Sequence, residues 1–281
     1  MTKLVHMVCD YAPGDLAWAE IHSALAEQLP PDARIFQTSV HSFDTVALGF
    51  IINQLASRPR KSSDSAVYFG NCAPRKDKTA ARNDNEGEGL LFARLRNGAQ
   101  LLVVNSGYSL SFVKEQIEEL QSTAAASKGS QFRSRDYFPG VVASCLAAQD
   151  WYTISKLEDS GLPGHTPFLT GKLPLSVIPD LPASIVSYVD SFGNLKTSIR
   201  SGDAILKGRK EGDRMQVTIG ACTRYATVTN GSFNVPEGEL AFAPGSSGYD
   251  RPYWELFKRG GSAFSEFGKP GCGSTIDFAS V

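Results

Sequence analysis

Residues 188–199, Tyr-Val-Asp-Ser-Phe-Gly-Asn-Leu-Lys-Thr-Ser-Ile, contain the strongest local structural signal in the chain. An apolar run leads to Asp190, and a second run starts at Leu195 after a turn around Gly193. Glycine adopts the backbone angles that tight turns need, and flanking Asp and Asn side chains favour such turns. The pattern therefore predicts a β-hairpin.

The same hairpin carries groups suited to holding a ligand. Asp190 offers a carboxylate to an amine, Phe192 offers a ring that can stack on a flat heterocycle, and Asn194 offers a carboxamide. Two interpretations stay open on these residues alone: a ligand site, or a hairpin whose side chains only stabilise the turn.

Composition limits the classes of partner. The chain has 281 residues, enough for one large and one small domain, and 28 Lys plus Arg residues balance 29 Asp plus Glu residues. This balance predicts no nucleic-acid partner and no anionic membrane surface. No apolar run approaches the roughly 20 residues that cross a bilayer, and no charged-then-apolar signal opens the chain, so no membrane association is expected.

Cysteine and histidine usage points to neither disulfides nor a metal. The five cysteines are odd in number and scattered, without the paired spacing of a zinc site or a disulfide framework. We expect reduced thiols in a cytoplasmic protein. The four histidines show no metal-ligand spacing either, so no metal is predicted.

The first part of the chain, residues 1–157, alternates strand and helix signals. Strands are predicted at 3–9, 34–38, 66–69, 90–95 and 100–104, and helices at 14–29, 43–56, 111–123 and 136–148. Such alternation predicts an α/β domain with a mostly parallel sheet and flanking helices. Ligands of such domains bind beyond the carboxyl ends of strands, where Asp10, residues 72–76 and residues 105–107 fall.

The remainder has a different pattern. Clustered prolines and glycines predict a connection over residues 158–183. Short strands follow at 185–190, 195–199, 214–219, 221–228 and 239–243, and they predict a C-terminal all-β, barrel-like domain over residues 184–281. The polar segment 71–89 is predicted to be a flexible loop able to cover a pocket.

Short motifs along nearly the whole chain have the order and spacing of one known family. They are Val8-Cys9-Asp10 with Gly14-Asp15, Pro31-Asp32-Ala33, Phe43-Asp44, residues 132–136, residues 190–194, residues 236–240, residues 245–249 and Gly261-Ser262-Ala263. Together they resemble the S-adenosylmethionine hydroxide adenosyltransferases, whose relatives include fluorinases and chlorinases. The resemblance implies an α/β domain followed by a β-barrel domain, and a homotrimer with its site between subunits. S-adenosylmethionine would be the substrate, with no further cofactor.

The family's reaction is attack of water or a halide on the ribose C5′ of S-adenosylmethionine, with methionine leaving. Because a sulfonium leaves readily, catalysis consists mainly of holding a desolvated nucleophile in line with the C–S bond. By resemblance, Asp10 would accept hydrogen bonds from the ribose hydroxyls, and Phe43 and Phe132 would wall the ribose and the reacting carbon. The alternatives are that Asp10 caps the following turn and that both rings are ordinary core.

The resemblance assigns further roles in the second domain. Asp190 would hold the methionine ammonium, and Phe192 and Asn194 would bound the adenine, with Phe233 on the other side of the ring. Ser246 would bind the methionine carboxylate with the backbone amides of its glycine-rich turn. The alternative is turn chemistry without a ligand.

The chain departs from the hydrolase branch of the family, which activates water with an acid, an arginine and a histidine. Ala73 stands where the acid belongs, and Arg133 stands in place of the histidine. Arg82 is the nearest candidate for the arginine. A neutral side chain and a permanent cation cannot accept protons near pH 7, so hydrolysis by the family mechanism is not expected.

Another position resembles the halogenases. Ser134 matches the residue that contacts the halide there, and Arg75, Lys76 and Arg133 could add positive charge to the same pocket. We therefore predict Ser134, Arg133 and Arg75 as catalytic. The alternative is that these cations are solvated loop charges, and the aromatic that halogenases carry at the position of Ala73 is missing.

Two hypotheses follow. The chain is an enzyme that transfers an adenosyl group from S-adenosylmethionine to water or an anion, or it is a catalytically degenerate module that binds S-adenosylmethionine or adenosine. A nicotinamide-dependent enzyme is disfavoured because no Gly-x-Gly-x-x-Gly turn follows the first strand. Lys196 and Arg251 have no assigned role and are expected on solvated faces.

Overall fold

The structure, a computed structural model, describes residues 3–58, 65–72, 89–123, 132–148, 169–231 and 233–280. The chain divides into two compact units, Met1–Pro179 and Asp180–Val281. Each unit contains a seven-stranded sheet. The predicted combination of an α/β fold with a β-barrel-like part is confirmed at this level, and no helix among the described residues is long and apolar enough to cross a membrane.

The first sheet contains strands β1 (Lys3–Cys9), β2 (Ala33–Ser39), β3 (Ser65–Asn71), β4 (Leu90–Leu95), β5 (Gln100–Val104), β6 (Ile117–Thr123) and β7 (Leu169–Lys172), in the order β2-β1-β3-β5-β4-β6-β7. The pairings β1–β2, β1–β3 and β3–β5 are parallel, whereas β4–β5, β4–β6 and β6–β7 are antiparallel. The sheet is therefore mixed rather than mostly parallel. A tight turn at Asn97-Gly98 joins β4 to β5, and a turn that short permits only antiparallel pairing.

Helices cover both faces of this sheet. They are α1 (Leu16–Ala26), α2 (Thr45–Ala56), α3 (Arg133–Asp136) and α4 (Phe138–Ala147). Residues of α1 and α4 share one buried cluster with Val5, Met7 and Cys9 of β1. On the opposite face α2 approaches β3 so closely that a Cβ at Gly70 would lie 2.7 Å from the Ile52 side chain. Glycine at this position lets α2 pack directly on the strand.

The helix predicted over residues 111–123 does not form. A 3-10 turn occupies Ser111–Gln116, and β6 follows directly. Ile117 and Leu120 have near-helical spacing in the sequence, but β6 is paired on both edges, with β4 and β7. Tertiary pairing therefore overrides the local pattern.

The predicted connection over 158–183 includes part of the first sheet. Strand β7 pairs with β6 through Gln121–Lys172 and Ser122–Gly171. The clustered prolines and glycines of this region favoured a connection over a strand. The short strand β7 forms nevertheless, at the edge of the sheet.

The second unit contains β8 (Val186–Val189), β9 (Leu195–Arg200), β10 (Arg214–Ile219), β11 (Cys222–Val228), β12 (Leu240–Pro244), β13 (Tyr253–Lys258) and β14 (Ile276–Ser280), with helix α5 (Ala263–Glu266). The order is β14-β10-β11-β12-β13-β9-β8. An antiparallel bridge between Ile185 and Thr275 joins the two end strands, and the Val186 N–H donates to the Ser274 carbonyl at 2.9 Å. The sheet thus curls into a barrel-like form around an apolar interior.

Candidate functional site

The carboxyl ends of β1 and β3 form the topological switch point of the first sheet. From β1 the chain continues to β2 on one side and then to β3 on the other. Residues that end these strands meet in the crevice between them, the usual place for ligands in such sheets. The Asp10 N–H donates to the Asn71 carbonyl at 3.1 Å, which joins the two strand ends.

The Asp10 carboxylate is held by groups distant in sequence. Its Oδ2 accepts the Phe43 backbone N–H at 3.1 Å, and its negative charge helps to raise the pKa of the nearby Cys72 thiol. Phe43 has φ of +67°, in the left-handed region, at a cost of about 1–2 kcal/mol for a non-glycine residue. Its ring is 51% exposed, so it is not ordinary core. The structure therefore brings Asp10 and Phe43 together at the switch point.

Three polar side chains form a closed triangle beside Asp10. The Tyr11 hydroxyl donates to Ser134 Oγ at 2.9 Å, and Asn71 Nδ2 donates to Tyr11 Oη at 2.9 Å and to Ser134 Oγ at 2.6 Å. Ser134 is 3% exposed and Asn71 is 9% exposed. We call Tyr11, Asn71 and Ser134 the hydroxyl–amide triangle. It joins the ends of β1 and β3 to the start of α3.

Aromatic rings enclose the triangle. Phe132 and Trp18 both meet the Tyr11 ring edge-on, with centroids 6.0 and 5.7 Å away. The Arg135 guanidinium lies 5.2 Å from the Phe132 ring centroid and pairs with Glu20 at 3.0 Å. Phe132 and Ser134 therefore share Tyr11 as a common neighbour.

Two ionisable side chains beside Asp10, Tyr11 and Cys72, stay protonated near neutral pH. Burial raises the pKa of Tyr11 to about 12, and burial together with the nearby Asp10 charge raises the pKa of the Cys72 thiol well above its usual range. Asn71 and Ser134 are not bases, and Arg133 at the start of α3 is a permanent cation. The triangle can donate a hydrogen bond to an anion or to a neutral acceptor atom, but its three side chains include no general base. Among the described residues no group of three His, Cys, Asp or Glu side chains could hold a metal ion.

Some predicted positions lie outside the described residues. Ala73, Arg75, Lys76 and Arg82 fall in the range 73–88. Their roles, including the catalytic role of Arg75, stay predictions.

In the second unit the Asp190 side chain organises the hairpin. Asp190 Oδ1 accepts the backbone N–H groups of Phe192 and Asn194, both at 3.0 Å, and Oδ2 accepts Asn194 Nδ2 at 3.0 Å. Gly193 has φ of +79°, as the turn requires. The predicted hairpin is confirmed. The Phe192 ring is 78% exposed and projects from its tip.

Lys196 is not on a solvated face, so that expectation is wrong. Its side chain is 12% exposed, and its Nζ lies 2.7 Å from Glu255 Oε1 and 3.8 Å from Asp190 Oδ2. The Glu255 side chain is only 2% exposed. Burial raises the pKa of Glu255, and the Lys196 charge opposes that shift. Arg251, in contrast, is half-exposed and pairs with Asp203 at 2.8 Å.

The glycine-rich turn packs on this buried ion pair. A Cβ at Gly245 would collide with the Glu255 carboxylate, so only glycine fits there. Ser246 follows and is exposed. Phe233 lies in the segment between β11 and β12, 78% exposed, and its carbonyl accepts Arg259 Nη1 at 3.2 Å. The structure thus links Asp190, Asn194 and the Gly245 turn through Lys196 and Glu255, and it gives Phe233 a separate anchor.

The sequence alone assigned no site role to four residues of these clusters, which are Tyr11, Asn71, Lys196 and Glu255. The positions of Tyr11 and Asn71 beside strand ends are a usable signal, since polar side chains there converge in α/β sheets. No local signal marks Lys196 or Glu255, which lie 59 residues apart in sequence.

Comparisons with known proteins define the fold. No protein-family model matches the chain, and no curated protein matches it. An uncharacterized conserved protein from Thermotoga maritima is similar in structure, with a TM-score of 0.72 and 16% identity over 98% of this chain and 100% of that one. A conserved hypothetical protein from Thermus thermophilus has a TM-score of 0.63 and 18% identity over 99% of this chain and 100% of that one. The chain thus shares its two-unit fold with these proteins.

Proposed function

We propose that the chain binds S-adenosylmethionine, or a related adenosine derivative, and transfers the adenosyl group to a small nucleophile. The observation that carries the proposal is the switch-point crevice, where Asp10 and Phe43 meet beside the hydroxyl–amide triangle. The sequence resemblance assigns ribose binding, a ribose wall and nucleophile binding to Asp10, Phe43 and Ser134.

Asp10 is suited to a vicinal diol. A carboxylate has about four lone-pair positions, and here one position accepts the Phe43 N–H. The remaining capacity matches two ribose hydroxyls. The Phe43 N–H restrains the orientation of the carboxylate before ligand arrives, which lowers the entropic cost of binding.

The chemistry that fits the triangle is displacement by an anion. An anion adds to C5′ while the C–S bond breaks, and the bonding electron pair goes to sulfur. The sulfonium becomes the neutral thioether of methionine, and the charge of the anion is neutralised in the new bond. No proton moves, so no general base is needed. Water, in contrast, must lose a proton, and the triangle has no group to take it.

The hairpin is proposed to hold the rest of the ligand. The exposed Phe192 ring offers a stacking surface for adenine, and Asn194 offers a carboxamide for the purine edge. Asp190 would hold the methionine ammonium while maintaining the turn. Ser246 and Phe233 would complete the binding of the carboxylate and the ring.

A second candidate function is a module that binds the nucleoside without chemistry. It is favoured by one observation: the groups of the triangle and Arg133 lack a proton acceptor at neutral pH. Product formation separates the two candidates, because both predict binding.

The proposal includes a homotrimer with the site between subunits, as the resemblance implies. Light scattering at micromolar concentration should report three copies. A stable monomer would count against a shared site.

Calorimetry with S-adenosylmethionine tests binding, and mass analysis of adenosine products in water, chloride, fluoride or phosphate tests transfer. Asp190→Ala should weaken binding by about 2–4 kcal/mol, because a desolvated ammonium loses its partner. Asp277→Ala removes the same charge from an exposed position of β14 and should leave affinity unchanged. No binding by the native protein would refute the proposal, and equal affinity of the two variants would remove Asp190 from the site.

A further inference from the structure

Two phenylalanine rings of the second unit, Phe192 and Phe233, are each 78% exposed. The apolar interior of this unit is built from other side chains, so burial on folding explains neither ring. An exposed aromatic ring is, however, a suitable surface for stacking a flat base. What holds each ring in place therefore bears on base binding.

The segments that carry the two rings contact one turn, residues 259–262. On one side, a Cβ at Gly193 in the hairpin would collide with Ser262, and the Phe264 N–H donates to the Gly193 carbonyl at 2.8 Å. On the other side, the turn hydrogen-bonds to the segment 233–239. The turn is therefore a common support for both segments.

Arg259 fastens the segment 233–239 to this turn. Its backbone N–H and carbonyl form hydrogen bonds of 3.0 and 2.8 Å with the end of the segment. Its side chain reaches the start of the segment, where Nη1 donates to the Phe233 carbonyl at 3.2 Å and to the Val235 carbonyl at 2.8 Å. The guanidinium thus fixes the backbone of Phe233 relative to the turn.

Arginine is well suited to this contact. Nη1 carries two hydrogens in a planar, rigid group, one for each carbonyl, whereas a lysine nitrogen sits at the end of a flexible chain. Arg259 is exposed and forms no ion pair within the described part of the chain. Its described side-chain contacts are both to carbonyls of the segment that carries Phe233.

We propose that Arg259 is a positioning residue that holds the Phe233 backbone so that the ring can stack on the purine base of the ligand. The inference rests on the proposed function and deepens it by adding a residue outside the motifs that carry the family resemblance. Arg259 acts through Phe233 and not through contact with the base.

Calorimetric titration with adenosine measures base binding separately from the methionine part of the ligand. Phe233→Ala should weaken adenosine binding at least about fivefold, as loss of one base–aromatic stacking contact does. Arg259→Met should weaken it about three- to tenfold, because the ring loses its backbone anchor. Arg259→Lys should weaken it less, since lysine can still donate to one carbonyl. Arg214→Met removes an arginine that stacks on Tyr225 and should leave adenosine affinity unchanged.

A double-mutant cycle tests whether Arg259 acts through Phe233. In the Phe233→Ala background, Arg259→Met should change adenosine affinity by less than about twofold, because the ring that it positions is gone. A full further loss in that background would show that Arg259 acts independently of Phe233. Native adenosine affinity in Arg259→Met, even with a lowered melting temperature, would show a purely structural role. Either result would overturn the inference.

The same measurements separate this inference from the proposed function. If the native protein binds neither adenosine nor S-adenosylmethionine, the proposed function is refuted and the inference with it. If the native protein binds and the losses are additive, only the inference is refuted. If Arg259→Met does not fold, the cycle with Arg259→Lys decides the question.

Discussion

Replacing Lys196 with methionine should strongly destabilise the second unit. The methionine side chain has nearly the length of lysine but no charge, so the change removes the 2.7 Å ion pair with Glu255 and little packing. Glu255 would then be a buried carboxylate without its cation. Breaking a buried pair from one side costs about 3–5 kcal/mol. Because a domain is stable by about 5–15 kcal/mol, this is a large fraction of the total.

The loss should depend on pH, with a defined sign. Burial raises the pKa of Glu255 in the folded protein, and Lys196 opposes that shift. Without Lys196 the folded pKa rises further, while the unfolded value stays near 4.5. The folded state then binds more protons than the unfolded state between the two pKa values. Stability falls as pH rises through this window and recovers as pH falls toward the unfolded value.

Urea unfolding between pH 5 and pH 8, followed by circular dichroism, measures both effects. Arg251→Met is the matched control, since it removes an exposed pair with Asp203 and should cost at most about 1 kcal/mol. Adding Glu255→Gln to Lys196→Met should restore much of the stability at pH 8, because the unpaired charge is gone. A loss below about 1 kcal/mol, or a loss that does not vary with pH, would refute the assignment of a buried ion pair.

Three further changes have definite expected outcomes. Gly193→Ala should cost about 1–3 kcal/mol of unfolding free energy, because φ is +79° and a Cβ there would collide with Ser262. Gly271 lies in an open position, so Gly271→Ala should leave the unfolding free energy unchanged in the same urea experiments. In a thiol-reagent time course, the half-buried Cys222 and Cys272 should react first. The buried Cys9, Cys72 and Cys145 should react later, because burial raises the pKa of each thiol. Early reaction of a buried thiol would contradict this order. Hydrolysis of S-adenosylmethionine to adenosine should be slow or absent. The double variant Ala73→Asp with Arg133→His should raise the rate of adenosine formation at least about tenfold. Native turnover near 1 per second or faster would show that the interpretation of Ala73 and Arg133 is wrong.

Local patterns sufficed where a segment carries its own constraint. The Asp190–Asn194 turn needs its glycine and its carboxylate within five residues, and both are visible in the sequence. Segment 111–123 was misassigned because its strand forms only between two partner strands, information that no window of the sequence contains.

The candidate site was only half predictable for a similar reason. Asp10, Phe43 and Ser134 were found through motifs, whereas Asn71 gains its role from atoms 60 and 63 residues away. Glu255 gives no signal at all, because a glutamate on a strand is normally assigned to the solvent face. The lysine that neutralises it lies on a neighbouring strand.

Closure of the barrel-like sheet affects how the second unit folds during synthesis. The bridge between Ile185 and Thr275 joins residues 90 positions apart, and β14 also completes the pairing of β10. A ribosome adding about 5–20 residues per second needs several seconds to make that interval. Until β14 is made, β8 and, once it has been synthesised, β10 each keep an unpaired edge, which is a template for pairing with another nascent chain. Crowding of nascent chains on one message is therefore the condition under which misassembly of this unit should be greatest.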